Sequence, residues 1–185
     1  MMGAMLTFTT LGGTAIRMQA GKMTLFVHVE KKEKPQDNEI FLLRSPEEEP
    51  REGVISWPGE YDVDSVAVQG IGQEEGAAVS YAIDAEDMRT AFLYSPLKEW
   101  SESQIELLGN VDVLFIPTDN PKVLQKLIDE IDPRVLVLLD TGGKEKNEEA
   151  LKVCGALGKE PVEQLEVKAG SLPQEGRETV VMRKK

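Results

Sequence analysis

Asn110-Val111-Asp112-Val113-Leu114-Phe115-Ile116-Pro117 opens the stretch whose reading decides the fold. Val111 to Ile116 is apolar apart from Asp112, which predicts a short strand buried on both faces. Pro121 to Ile131 follows, with Val123, Leu124, Leu127, Ile128 and Ile131 on one face of a helix. Arg134 to Leu139 reads as a second buried strand, and Asn147 to Leu157 as a second helix ended by Gly158. Strand–helix–strand–helix with continuously apolar strands indicates parallel neighbours in a sheet covered on both faces. Just upstream, Ser101-Glu102-Ser103-Gln104 carries a capping-box pattern and predicts a further helix. Glu178 to Met182 reads as a closing edge strand.

Toward the N-terminus the rhythm changes to β. Met5 to Thr10, Thr14 to Gln19 and Met23 to Val29 are β-rich runs separated by Gly12-Gly13 and Ala20-Gly21-Lys22. A polar stretch from Glu30 to Asn38 leads to the apolar run Ile40 to Leu43. Ser45-Pro46-Glu47-Glu48-Glu49-Pro50 excludes a central strand and predicts a loop. Trp57-Pro58-Gly59-Glu60-Tyr61 has Pro and Gly in the corners of a type II turn, which predicts a structural element and not a catalytic loop. Ala77 to Asp84 and Thr90 to Tyr94 pair as a hairpin around Ala85-Glu86-Asp87-Met88. A β-meander followed by βαβα predicts an α/β (α+β) protein, a four-layer αββα sandwich, as one domain over residues 1–185.

Composition bounds the function. With 41% apolar residues the chain can build a core, and its longest apolar run, Val135 to Leu139, is too short to cross a bilayer. The N-terminal residues show no signal-peptide pattern. Against 33 acidic residues there are 21 basic ones, a net charge of −12, so no nucleic-acid partner and no membrane partner are expected. One cysteine, Cys154, allows no internal disulfide, which suits a reducing compartment and a cytoplasmic address. Cys154 falls on the apolar stripe of the expected last helix, as a small buried hydrophobe.

Five stretches, taken in order, resemble the metallo-β-lactamase superfamily, in particular its short bacterial metallo-hydrolase-like proteins. Thr10-Leu11-Gly12-Gly13-Thr14-Ala15-Ile16-Arg17 is similar to their Trp-Leu-Gly-His-Ser-Cys-Phe-Arg opening. Trp57-Pro58-Gly59-Glu60-Tyr61-Asp62-Val63 is similar to Gly-Pro-Gly-Glu-Tyr-Glu-Val, and Asn110 to Pro117 to Asp-Ile-Asp-Ile-Leu-Leu-Ile-Pro. Ile131-Asp132-Pro133-Arg134-Val135 resembles an Ile-x-Pro-Lys strand start, and Leu172-Pro173-Gln174-Glu175 the family's ending. The resemblance implies the αββα sandwich and a site where a metal ion, held by several His and Asp ligands, activates water.

The ligand positions that the resemblance implies carry other residues here. The His after Gly12 is Gly13; the His-x-His-x-Asp-His loop holds Ser45, Glu47, Glu49 and Pro50. The Gly-Asp pair that supplies a bridging carboxylate is Ser95-Pro96, and the last His is Asp140. The chain's one histidine, His28, lies on a strand and reads as a packed or surface residue. No Gly-x-Ser-x-Gly, Walker or dinucleotide-binding motif occurs. Leu11-Gly12-Gly13 is no phosphate cradle either, because a strand and not a helix follows it.

The expectation is therefore a degenerate member: no catalytic residues, no metal, no cofactor, and a binding or structural role toward an unidentified protein or small molecule. The alternative places Glu47 and Glu49 beside Asp119 and Asp140, oxygen donors that suit Mg²⁺, Ca²⁺ or Mn²⁺, as a carboxylate-held cation in a hydrolase. A third reading has the site completed by a partner subunit. Its test is whether a second chain co-purifies.

Overall fold

Every second residue of the first two strand runs is buried and its neighbours are not, so these segments pleat with one face toward a core. The computed structural model describes residues 3–184. The first nine strands are β1 (Met5–Gly12), β2 (Ala15–Ala20), β3 (Met23–Val29), β4 (Glu39–Leu43), β5 (Val54–Ile55), β6 (Gly59–Val63), β7 (Val66–Gln73), β8 (Ala78–Ala85) and β9 (Met88–Phe92). They are followed by α1 (Glu102–Leu108), β10 (Val113–Pro117), α2 (Pro121–Ile131), β11 (Val135–Leu139), α3 (Gly143–Val153), β12 (Gln164–Lys168) and β13 (Glu178–Met182).

The strands form two mixed sheets, ordered β12-β1-β2-β3-β4-β5 and β13-β11-β10-β9-β8-β7-β6. Leu6, Phe8, Ile16, Met18 and Leu25 of the first face Val68, Tyr81, Phe92, Phe115 and Val137 of the second, in one apolar cluster. Phe115 centres it, 4.8 Å from the Phe8 ring and stacked on Phe92 at 4.7 Å. β9, β10, β11 and β13 run parallel, as the apolar strands required. Their outer face (Leu114, Ile116, Leu136, Leu138) packs against Leu124, Leu127 and Ile128 of α2, Leu108 of α1 and Ala150 of α3. On the outer face of the six-stranded sheet the described residues place no helix. Phe26, Val29, Phe41 and Leu43 cluster there, with the Lys31 ammonium 4.2 Å from the Phe26 ring centre. The sandwich is of the expected α+β kind, with its helices gathered on one sheet. No helix among the described residues is long and apolar enough to cross a membrane.

Several elements follow the sequence reading closely. Ser101 caps α1 in a complete capping box, and α2 spans Pro121–Ile131 behind an Asn120 cap. Others need correction. The last helix runs Gly143–Val153, not Asn147 to Leu157, because Gly155 at φ +66 ends it before Gly158 is reached. Its first turns are a Lys/Glu run with no apolar stripe, so periodicity missed them. Cys154 is consequently the C-cap residue, half-buried instead of fully buried, and it packs against the helical-side apolar cluster. β12 went unread because it is an edge strand whose residues are mostly exposed.

The type II turn at Trp57–Tyr61 is also corrected. Gly59 has φ +144 and begins β6, while Trp57-Pro58 forms a bend laid over two bare glycines of β7. A Cβ on Gly72 would stand 2.7 Å from Pro58 Cγ, and one on Gly70 3.0 Å from the Trp57 carbonyl oxygen. The segment is structural, as expected, but its glycine requirement lies as much on β7 as in the bend. Gly72→Ala should lower stability by about 1–3 kcal/mol through overpacking against the proline ring. Chemical denaturation checks this, and Pro58→Ala in the same chain should recover much of the loss.

Candidate functional site

Strand direction brings the candidate positions to one rim. β3 and β4 are parallel and end there, and the β1–β2 turn lies at the same end because Ile16 pairs with Val27. The Val79 amide of the second sheet donates to the Arg44 carbonyl at 3.1 Å, so the rims of the two sheets meet. Gly13, the Ser45 to Pro50 loop, Ser95-Pro96, Asp119 and Asp140 thus all follow strand ends on this side. Carboxyl ends of parallel strands are where α/β proteins place their sites.

Asp119 is the hub of the rim. Its Oδ2 accepts from the Ser95 hydroxyl at 2.6 Å and the Thr141 hydroxyl at 3.0 Å, and its Oδ1 accepts from the Leu97 amide at 2.7 Å. One carboxylate therefore ties together the loops after β9, β10 and β11. Gly142 lets the third loop approach, since a Cβ there would lie 2.7 Å from Asp119 Cα. Thr118 adds a buried hydroxyl that donates to the Leu139 carbonyl at 3.0 Å. Across the rim, Arg44 donates from Nη2 to the Ser95 carbonyl at 2.8 Å, its guanidinium 5.1 Å from the Tyr94 ring centre.

The acidic loop is built differently. Glu47 accepts from Arg51 Nε at 2.9 Å, its carbonyl accepts from the Trp57 indole at 2.9 Å, and its amide donates to Ser56 Oγ at 3.1 Å. Arg51 in turn donates to the carbonyls of Lys31, Lys32 and Glu33 at 2.7, 3.1 and 3.2 Å. Glu47 is a strut between two loops. Ser45, Glu49 and Pro50 are exposed, and so is Gly13 in its turn at φ +57. Pro96 follows a cis peptide from Ser95. Asp140 keeps one buried oxygen, Oδ1, without a hydrogen-bond donor, and the Lys184 ammonium lies 4.0 Å from it.

His28 lies behind the rim, its ring 6.1 Å from that of Tyr94 and edge-on to it. It sits at φ +56 in a bulge between Val27 and Val29, 3% exposed, and its Nε2 donates to the Val79 carbonyl at 2.9 Å. Burial depresses its pKa to about 4, so the ring is neutral at pH 7. Beside it the Tyr81 hydroxyl donates to the Leu43 carbonyl at 2.5 Å. Both groups are cross-sheet ties. Cys154 lies on the helical side, its thiol pushed up to about 11 by burial.

The zinc of the family that the sequence resembles does not fit these residues. Glu47 is occupied by Arg51, Asp119 by its three donors, Asp140 faces Lys184, and the one imidazole is buried between the sheets. Glu47 and Glu49 are not assembled with Asp119 and Asp140: among the described residues no group of three or more His, Cys, Asp or Glu could hold an ion. Arg44 escaped the sequence reading, and its one signal was its position directly after the Ile40–Leu43 run.

Among solved structures the chain is similar to a candidate Zn-dependent hydrolase of the metallo-β-lactamase superfamily from Thermotoga maritima. The two share 19% identity and a TM-score of 0.72, over 96% of this chain and 98% of that one. A metallo-hydrolase from Ignicoccus hospitalis matches at 10% identity and TM-score 0.62, over 89% and 99%. A metallo-β-lactamase fold protein from Bacillus subtilis matches at 10% and 0.60, over 97% of both chains. No family model and no curated protein matches the sequence. The chain has the metallo-β-lactamase fold, as its motifs implied.

Two outcomes test the site's chemistry. Asp119→Ala strands three donors and should cost roughly 2–4 kcal/mol in chemical denaturation, with Asp119→Asn costing less. His28 is neutral in both states above pH 6.5; below that the unfolded chain takes a proton the folded one refuses until about pH 4. Stability should therefore fall as pH drops through this window, by roughly 3 kcal/mol from this group. His28→Gln, which keeps a donor for Val79, should show a flatter profile between pH 6.5 and 4 in urea titrations.

Proposed function

We propose that this protein is a metallo-β-lactamase-fold scaffold without hydrolytic chemistry, serving a binding or structural role in the cytoplasm. The observation that carries the reading is Asp119. At the rim where a metal-activated water belongs in the family it resembles, this carboxylate already accepts three hydrogen bonds from protein donors on the two neighbouring loops. A catalytic zinc needs about three protein ligands, mostly imidazole or thiolate, and an open position for water. This rim offers carboxylates alone, of which Asp119 and Glu47 are engaged by protein donors. The single cysteine suits the reducing compartment.

The unpartnered Oδ1 of Asp140 favours a second reading, a hydrolase with a Mg²⁺, Ca²⁺ or Mn²⁺ ion held by carboxylates. Against it stand the Lys184 ammonium near that oxygen and the exposed, distantly tied acidic loop.

Elemental analysis of the purified protein, with assays on a β-lactam, a thioester and a phosphodiester, separates the two. The first reading expects no stoichiometric metal and no turnover with zinc, magnesium, calcium or manganese added. About one zinc per chain, lost together with activity in Asp140→Ala, overturns it. Turnover that depends on magnesium, calcium or manganese and on Asp140 establishes the second.

A further inference from the structure

A cleft of about 490 Å³ opens between the ends of β3 and β4, within the size range of small-molecule sites. Val29 and Leu43 are apolar lining, and Arg44, Ser45, Lys31 and Lys32 surround them. The walls are fixed before any ligand arrives. Arg44 is held by the Ser95 carbonyl and lies over Tyr94, and no protein acceptor takes its Nε or Nη1 hydrogens among the described residues. The opposite wall, residues 31–33, is clamped through its carbonyls by Arg51, itself braced by Glu47. Three carboxylates also line the cleft, but Glu47 is taken by Arg51 and Glu33 lies 3.8 Å from the Lys31 ammonium. Glu30 alone is left against Lys32 and the free edge of Arg44. In a chain of net charge −12, this recess is charge-balanced, with three cations beside three carboxylates, an apolar lining and the unpaired donors of Arg44.

We propose that the cleft binds a small monocarboxylate with an aliphatic or aromatic body, its carboxylate on Arg44 and Ser45 and its body on Val29 and Leu43. A guanidinium held along one edge presents parallel N–H donors that match a carboxylate bidentately, which an ammonium does not. Pre-fixed walls spare the ligand the entropy of ordering them. The proposal rests on the binding role inferred above and gives that role a ligand class. Metal and turnover measurements test the role, whereas titration tests the cleft, so the two fail separately.

The experiment is calorimetric titration of the full chain with octanoate, using octanol as the neutral counterpart. Saturable one-to-one binding of octanoate is expected, with octanol at least about tenfold weaker. Arg44→Gln should weaken octanoate by a similar factor. Because Arg44 also braces the rim, Ser45→Glu is the second variant: it changes an exposed residue, leaves the fold intact and sets a carboxylate against the ligand. It too should lose about tenfold for octanoate while octanol is unaffected. No saturable octanoate binding, equal affinity for octanol, or Ser45→Glu binding octanoate like the unchanged protein would each overturn the proposal.

Discussion

Burial of two apolar sheet faces against each other is the constraint from which the rest of the molecule follows. Phe8, Phe92 and Phe115 meet at the centre, and aliphatic side chains from Leu6 to Met182 close around them. A strand that pleats with period two can present one face to this layer only while its register is kept, and β1 and β3 keep theirs until shifts at their rim ends. The buried Thr90 hydroxyl enters the layer from β9 without a hydrogen-bond partner, whereas two other polar side chains are paired. These are Tyr81 and His28 near the rim, each donating to a backbone carbonyl of the opposite sheet, and they tie the sheets where aromatic packing thins.

The rim shows how a fold associated with metal sites is held together by its own side chains. A metal ion cross-links loops by drawing ligands from several of them. Here the same loops are joined by Asp119, which gathers Ser95, Leu97 and Thr141, and by Arg44, which reaches from the first sheet to the Ser95 carbonyl. Charge-assisted hydrogen bonds of this kind are shorter and stronger than neutral ones, so the rim is rigid. Asp119 uses three of its carboxylate's roughly four lone-pair sites on these bonds. The rigidity works in favour of presenting a fixed surface, and the Arg44 cleft lies on that surface.

Helices gathered on the seven-stranded sheet leave the outer face of the other sheet to side chains alone. Lys31 lays its ammonium between the Phe26 and Phe41 rings and so shields the small aromatic cluster that a helix would otherwise cover. Arg51 pins the backbone of the same segment from the acidic loop. The Glu30 to Asn38 stretch, which composition marks only as polar, thereby forms part of a cleft wall.

Periodicity and punctuation made much of this legible in the sequence: the strand runs, the Ser101 capping box, the α2 stripe and the closing β13 are local signals, set by side-chain alternation and terminal hydrogen bonds. The histidine count alone removed an imidazole-rich zinc shell, since donors that are not in the chain cannot be folded into place. Tertiary structure decided what depends on residues far apart in the chain. That Pro58 packs over bare glycines on β7, that Glu47 braces Arg51, and that Asp119 gathers three donors are all contacts between distant segments. The start of α3 and the edge strand β12 belong here too, because their residues carry little apolar signal and take their conformation from the neighbours they pair with. Sequence determines locally where a strand or helix is favourable; which carboxylates and cations remain unpaired is settled only when the strand ends meet at the rim.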